Sequence, residues 1–377
     1  MKKFLSVLVL VAMAFLFSAC SKNESNETVN IGVLGPFSGN LASYGESVRK
    51  GVELAVEEIN TAGGILGKQV KIYAEDDEGD AQKALNAYNK ITDEIDFLIG
   101  EVVSAISEVI GAEAQKDGLP MLAPCSTAAN ITKNRSYVFR ACFLDPDQGI
   151  TMANFAKETL KIAKVAVVYD NSDDYSSGVA EAFKTQAEKN GIEVVFFDGG
   201  IVAKSADFKA IASKIASSTA EAVFAPIYYG DVATFVRDVR IAGYKKPLMG
   251  ADGWDGTSAV LLGEDGKGDV SPLNNCYFSN HYASDATNAK IFVAAYEKKY
   301  GTTPNSFAAL AYDSMYIVKA AMEKAQTTER NQVSKALATV TYSGVTGNYV
   351  FNETGDPKKN IVICEYINGV ITFKESK

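Results

Sequence analysis

At 377 residues, 47% hydrophobic and 22% charged, the chain has the composition of an ordinary soluble globular protein and is longer than one compact core usually fills, so two domains are expected. The formal charge of −9 leaves no basic stripe to displace phosphate counterions, which excludes a nucleic-acid footprint. With one histidine, no C-x-x-C, no G-x-S-x-G elbow and no G-x-G-x-x-G after the first strand, the usual signatures of hydrolases, zinc peptidases and dinucleotide enzymes are missing, and no cofactor or metal is expected.

The N-terminus reads as an export signal: Met1-Lys2-Lys3 is positive, residues 4–17 are largely apolar, and Ser18-Ala19-Cys20 closes the run with small residues. The apolar run is too short for a membrane span, which needs about 20 residues. A cysteine directly after Ser-Ala resembles the bacterial lipobox, although Phe17 stands where leucine is usual; the resemblance implies that residues 1–20 are a signal peptide and that Cys20 becomes lipid-modified. Residues 21–28, SKNESNET, lack apolar anchors and form the expected tether.

From residue 29 the pattern alternates. A strand over 29–34 leads to a helix over 47–60, whose Val48, Val52, Val56 and Ile59 share one face. The Gly-rich turn at 60–64 ends that helix, and a strand follows over 69–74. Residues 63–68 are no nucleotide loop, because the glycines are one residue too close and Gln69 replaces Ser or Thr. A helix over 81–92, a strand over 97–100, a helix over 104–116 and a strand over 121–123 complete one α/β half. Ser126 or Thr127 is expected to open a further helical turn, whose free N–H groups suit an anion. After an extended piece at 137–142 the rhythm restarts, with strands over 165–169, 193–197, 222–227 and 247–250 and helices centred near Phe183, Ile211 and Val236. These strands are too apolar to face solvent, which implies parallel sheets covered on both faces.

The last hundred residues hold a strand over 276–280, helices over 286–300 and 307–324, and strand-like pieces at 347–351, 361–366 and 370–373. These are too few for a third sheet, so the section completes the first two halves. The expected division is 29–145 with 276–359 as lobe 1 and 146–275 with 360–377 as lobe 2, joined by three crossings that make a hinge.

In open parallel sheets ligands sit beyond the carboxyl ends of strands. The segments in that place are 38–44, 103–104, 125–127, 171–175, 228–229 and 251–254; they are rich in hydroxyls and aromatics and contain no Arg, Lys or His. One acid with an apolar neighbourhood, Asp252, combined with helix starts and aromatic rings suits a small zwitterion. The helix starts take a carboxylate and the acid takes an ammonium. Asp252 is expected to lack a second ionisable partner, which speaks against catalysis. Trp254 is either a pocket wall or local packing, His281 is structural, Phe196 and Phe197 are core, and the acidic run 76–80 caps a helix. Cys125, Cys142, Cys276 and Cys364 are either free buried thiols or bridges that sequence does not pair.

Taken together, Ile31-Gly32-Val33, Ser38-Gly39, Tyr44-Gly45, residues 60–67 (NTAGGILG), Ile99-Gly100 with Ser104, residues 124–127, Asp147-Gln148-Gly149 and residues 249–253 (MGADG) resemble, in order and spacing, the periplasmic binding proteins of the branched-chain amino-acid type, over residue 29 to the C-terminus. That resemblance implies an α/β fold of two doubly wound parallel-sheet lobes joined by a three-crossing hinge. It also implies that Ser104 and Thr127, with backbone near Cys125 and Ser126, hold a ligand carboxylate. Asp252 would then pair with the ammonium, and Tyr44, Tyr175, Tyr228 and Phe307 would line or close the side-chain pocket. The implied protein is a monomeric, lipid-anchored, periplasmic or cell-surface receptor that passes an aliphatic amino acid to an ABC permease. The alternative is a sensory binding protein signalling to a receptor.

Overall fold

The computed structural model describes residues 28–205 and 207–376. The expected signal peptide, Cys20 and nearly all of the tether lie outside the described residues; Thr28, assigned to the tether, already begins the first strand.

Lobe 1 is built on a wholly parallel five-stranded sheet, ordered β2-β1-β3-β4-β5. Its strands are β1 (Thr28–Gly35), β2 (Gln69–Asp76), β3 (Phe97–Ile99), β4 (Met121–Ala123) and β5 (Val138–Arg140). Helices α1 (Ala42–Thr61) and α10 (Ser306–Ala325) cover one face, where the stripe Val48, Val52 and Ile59 meets Leu310, Met315 and Val318. Helices α2 (Ala81–Ile91) and α3 (Ser104–Asp117) cover the other through Ala84, Tyr88, Ile106 and Ile110. Such stripes recur every three to four residues, which is why the helices lie flat on the sheet. The acidic run behaves as expected at its end: the Asp80 carboxylate accepts from the Gln82 and Lys83 amides and caps α2.

Lobe 2 carries a seven-stranded sheet, ordered β14-β13-β10-β9-β8-β6-β7. Strands β6 (Lys164–Val168), β7 (Glu193–Asp198), β8 (Ala222–Phe224), β9 (Leu248–Gly250) and β10 (Cys276–Asn280) run parallel, while β13 (Val362–Ile367) and β14 (Val370–Ser376) add antiparallel at one edge. Helices α4 (Asp145–Glu158) and α5 (Asp174–Lys189) cover one face through Phe155, Val179 and Phe183. Helices α6 (Lys209–Ser217) and α7 (Tyr229–Ile241) cover the other through Ile215, Phe235 and Val239. The rest is α8 (Thr257–Leu262), α9 (Lys290–Tyr300), α11 (Arg330–Leu337) and the hairpin β11 (Thr341–Gly344) with β12 (Gly347–Val350).

The structure alters the sequence reading in several places. Strand β10 pairs with β9 and β13 and belongs to lobe 2, so the chain does not return to lobe 1 at residue 276 but only beyond 280. A five-residue apolar strand fits either sheet by composition, and only its distant partners decide. No helix follows Thr127; residues 128–131 close a single turn, with the Ile131 amide on the Ala128 carbonyl. Helix α1 begins at Ala42 rather than 47. Phe196 and Phe197 are half-buried, because β7 is an edge strand. The four cysteines are buried free thiols. Among the described residues no helix is long and apolar enough to cross a membrane.

Candidate ligand-binding site

Residues of both lobes converge on one small pocket with about 10 Å³ of free space, no more than a single water needs. Lobe 1 contributes Tyr44, Ser104, Cys125, Thr127 and Phe307; lobe 2 contributes Tyr175, Tyr228 and Asp252. No Arg, Lys or His lines it. Eight of the ten candidates are therefore brought together, and Ser126 and Trp254 are not.

The lobe 1 wall is mostly backbone. Helix α3 starts at Ser104 with Val103 as its cap and no side-chain acceptor there, so its first N–H groups, which have no intrahelical partner, remain for a ligand. The wall is braced from behind by Glu101, whose Oε2 accepts from the Val103 amide at 2.6 Å and whose carbonyl accepts from Ser126 Oγ at 2.9 Å. Burial and the neighbouring Asp77 push the Glu101 carboxyl well above the usual carboxylate range. Ser126 also shares a 2.5 Å hydrogen bond with Ser107 Oγ, so its hydroxyl is turned into the protein and not toward the cavity. The Ser126 carbonyl accepts from Arg140 Nη1 at 3.0 Å, and Arg140 is itself paired with Asp356 at 2.6 Å. Ser104 Oγ accepts from the Ala128 amide at 3.3 Å. The Cys125 thiol lines the cavity and points toward the Val102 carbonyl at 3.8 Å; burial pushes its pKa far up, so it is a neutral thiol.

The lobe 2 wall is built from side chains. Asp252 opens a short 3₁₀ turn after β9, Asp252–Trp254, and is 3% exposed. Its Oδ1 accepts from Gln148 Nε2 at 3.1 Å and its Oδ2 lies 3.0 Å from His281 Nε2. The Asp252 amide donates back to Gln148 Oε1 at 3.2 Å. His281 is stacked on Phe143 with centroids 3.8 Å apart. Gln148 Nε2 also reaches Asp145 Oδ1 at 3.1 Å, and burial holds the Asp145 carboxyl well above its usual range. Asp252 thus has two ionisable neighbours, Asp145 and His281, where the sequence suggested none.

Aromatic rings close the remaining sides. Tyr44 stacks on Phe307 at 4.1 Å, and Tyr175 stacks on Tyr228 at 4.9 Å. The Tyr44 hydroxyl donates to the Gly253 carbonyl at 2.5 Å and accepts from the Tyr229 amide at 3.2 Å, while the Ser43 amide donates to Tyr229 Oη at 3.2 Å. These bonds tie lobe 1 to lobe 2 across the cavity. Gly253 is required where it stands: its amide donates to Tyr175 Oη at 2.9 Å, and a Cβ there would fall 2.7 Å from that oxygen. Trp254 is fully buried in the lobe 2 core, its Nε1 donating to the Ala225 carbonyl at 2.7 Å. It lies on Gly250, where a Cβ would come within 2.0 Å of the indole nitrogen, and so it is packing and not a pocket wall.

Sequence reasoning missed Gln148, Asp145, Glu101 and the contact of His281 with Asp252. Only Asp147-Gln148-Gly149 carried a signal, as a segment of the resemblance. The contact of His281 with Asp252 leaves no mark in the sequence, because nothing in an alternating strand indicates what lies across the sheet end.

Two α/β lobes that meet at one pocket, with open helix-start N–H groups on one wall and a carboxylate on the other, define a receptor for a small solute of mixed charge. The chain belongs to the periplasmic binding protein family, whose model matches residues 28–369. It is 30% identical over 358 residues, 92% of this chain and 94% of the relative, to Leu/Ile/Val-binding protein homolog 3 of Brucella melitensis. Against the leucine-, isoleucine-, valine-, threonine- and alanine-binding protein of Pseudomonas aeruginosa it is 30% identical over 352 residues, 93% of this chain and 92% of that one. Among solved structures, the branched-chain amino-acid transporter substrate-binding protein LivJ of Streptococcus pneumoniae, in complex with isoleucine, superposes with a TM-score of 0.85 at 31% identity, over 93% of this chain and 99% of that one. The leucine-binding protein LivK of Thermotoga maritima superposes with a TM-score of 0.83 at 32% identity, over 92% and 98%.

Proposed function

We propose that this protein captures an aliphatic, branched-chain amino acid between its lobes and delivers it to an ABC importer. The observation that carries the reading is the opposition of Asp252 to the uncapped start of α3 across one pocket shared by the two lobes. An α-carboxylate sits against the amides at Ser104 and the 125–127 loop with the Thr127 hydroxyl, and the α-ammonium sits against Asp252. The side chain is left among Tyr44, Tyr175, Tyr228 and Phe307. Relatives named for leucine, isoleucine and valine, and the isoleucine complex of LivJ, support the aliphatic choice.

Charge-assisted hydrogen bonds contribute about 1.5–3 kcal/mol each and burial of an aliphatic side chain about as much, which puts micromolar binding, about 8 kcal/mol, within reach after ordering costs. A single methylene changes affinity by only about 1–3 kcal/mol, so leucine, isoleucine and valine are separated weakly while a charged side chain is rejected. The ligand drives closure only through contacts better made in the closed state, and no covalent chemistry is involved. The receptor works outside the cytoplasm as a monomer tethered through lipid on Cys20.

Calorimetry of residues 21–377 against the twenty amino acids tests the reading: aliphatic ones bind, and failure of all of them overturns it. Incorporation of radiolabelled palmitate into the full chain, abolished by Cys20→Ala, tests the anchor; label retained in that variant would place the lipid elsewhere.

A further inference from the structure

The carboxylate that faces the cavity does not stand alone, and the way it is held points to residues that set its strength. Each oxygen of Asp252 already has one partner, Gln148 Nε2 at 3.1 Å and His281 Nε2 at 3.0 Å. A carboxylate offers about four lone-pair sites, so two remain for a ligand. The orientation of Gln148 is fixed by its surroundings: Oε1 accepts from Ser279 Oγ at 2.9 Å and from the Asp252 amide, which leaves Nε2 for the carboxyl oxygens of Asp145 and Asp252. His281 Nδ1 is buried without a partner, and the ring is pinned against Phe143, so its one productive contact is a donation from Nε2 to Asp252.

We infer that His281 and Gln148 are positioning residues that turn Asp252 toward the cavity and thereby determine how strongly the site discriminates for an α-ammonium. Asp has a single methylene and little reach of its own. Without a donor on each side its carboxylate is free to rotate about χ2, a broad torsion for this residue, and the ligand must then order it on binding. The two donors lie beside two of the three passages of the chain between lobes: Gln148 in the first turn of α4, and His281 immediately after β10. Neither donor touches the cavity, so their effect is transmitted through Asp252 alone.

The inference rests on the amino-acid reading above, and the test separates the two. Dissociation constants are measured for leucine and for 4-methylpentanoate, the same skeleton without the ammonium, by calorimetry and ligand-observed NMR. The proteins are the unaltered one, His281→Phe, which keeps an aromatic ring against Phe143, and His281→Gln, which restores an N–H donor. In His281→Phe leucine should weaken about tenfold or more while 4-methylpentanoate moves less than about twofold, so that the preference for the ammonium collapses; His281→Gln should recover part of it. Gln148→Met gives the same collapse by a second route should His281→Phe not fold, which thermal unfolding reports. A preference unchanged in folded His281→Phe or in folded Gln148→Met overturns the positioning role while leaving the site intact. Failure of the unaltered protein to bind leucine overturns the amino-acid reading and the inference with it.

Discussion

The two walls of the cavity solve opposite problems with different materials. Lobe 1 presents backbone amides at the start of α3 and the 125–127 loop, braced from behind by Glu101, Ser126 and Arg140. Lobe 2 presents one charged side chain, Asp252, set in place by Gln148 and His281. A wall of amides keeps its donors whatever side chains it carries, so long as the loop keeps its shape. A wall of one carboxylate is lost with one substitution. Affinity should therefore be brittle on the lobe 2 side and tolerant on the lobe 1 side.

The largest expected effect breaks the comparison most directly. Asp252→Asn keeps the shape and removes the charge, and should weaken leucine roughly a hundredfold, about 3 kcal/mol, with little change in thermal stability. Calorimetry that finds the affinity unaltered would move the ammonium site away from lobe 2.

The brace behind the amide wall should show in stability rather than in binding. The folded protein holds the Glu101 carboxyl well above its ordinary 4.5 because it is buried beside Asp77. The folded state thus binds a proton that the unfolded chain releases above about pH 4.5. The contribution is fully present below that pH and is lost as pH rises toward the folded value, by at most about 1.4 kcal/mol per pH unit. Glu101→Gln removes this slope, so urea unfolding measured from pH 5 upward should be flatter in the variant; parallel curves would mean that Glu101 is not protonated in the folded state.

Tyr44 belongs to both walls at once, because its hydroxyl bonds the Gly253 carbonyl and the Tyr229 amide. Tyr44→Phe strands both and should cost the closed form about 1 kcal/mol, read as a roughly fivefold weaker ligand and a larger radius of gyration at subsaturating ligand. No change in either would show that the interlobe bonds do not set closure. The smallest effect is assigned to Cys125→Ala, below about 0.5 kcal/mol, since the thiol is neutral and the wall is backbone. A loss of tenfold or more would mean that the sulfur itself touches the ligand.

Much of this site is readable in the sequence because strand ends are local signals. The apolar runs that stop at Gly100, Pro124, Ile227 and Gly250 are each followed by cavity residues: Val102 and Ser104, Cys125 and Thr127, Tyr228, and Asp252. Two neighbours show where that signal ends. Trp254 lies two residues beyond Asp252 and yet turns into the core, because Gly250 leaves room for the indole and the Ala225 carbonyl takes its N–H. Ser126 sits between two lining residues and yet points inward to Ser107 and Glu101. Adjacent residues in an irregular loop face opposite directions, and sequence alone has no period with which to sort them.

By itself the sequence determined the alternation of strands and helices and the α/β class, because hydrophobic periodicity and turn chemistry act over a few residues. Only the tertiary structure decided that β10 joins lobe 2, that no helix follows Thr127, and that Gln148 and His281, 104 and 29 residues from Asp252, hold its two oxygens. Those outcomes depend on which distant backbone and side-chain groups satisfy one another once water is excluded, and no local pattern records that pairing.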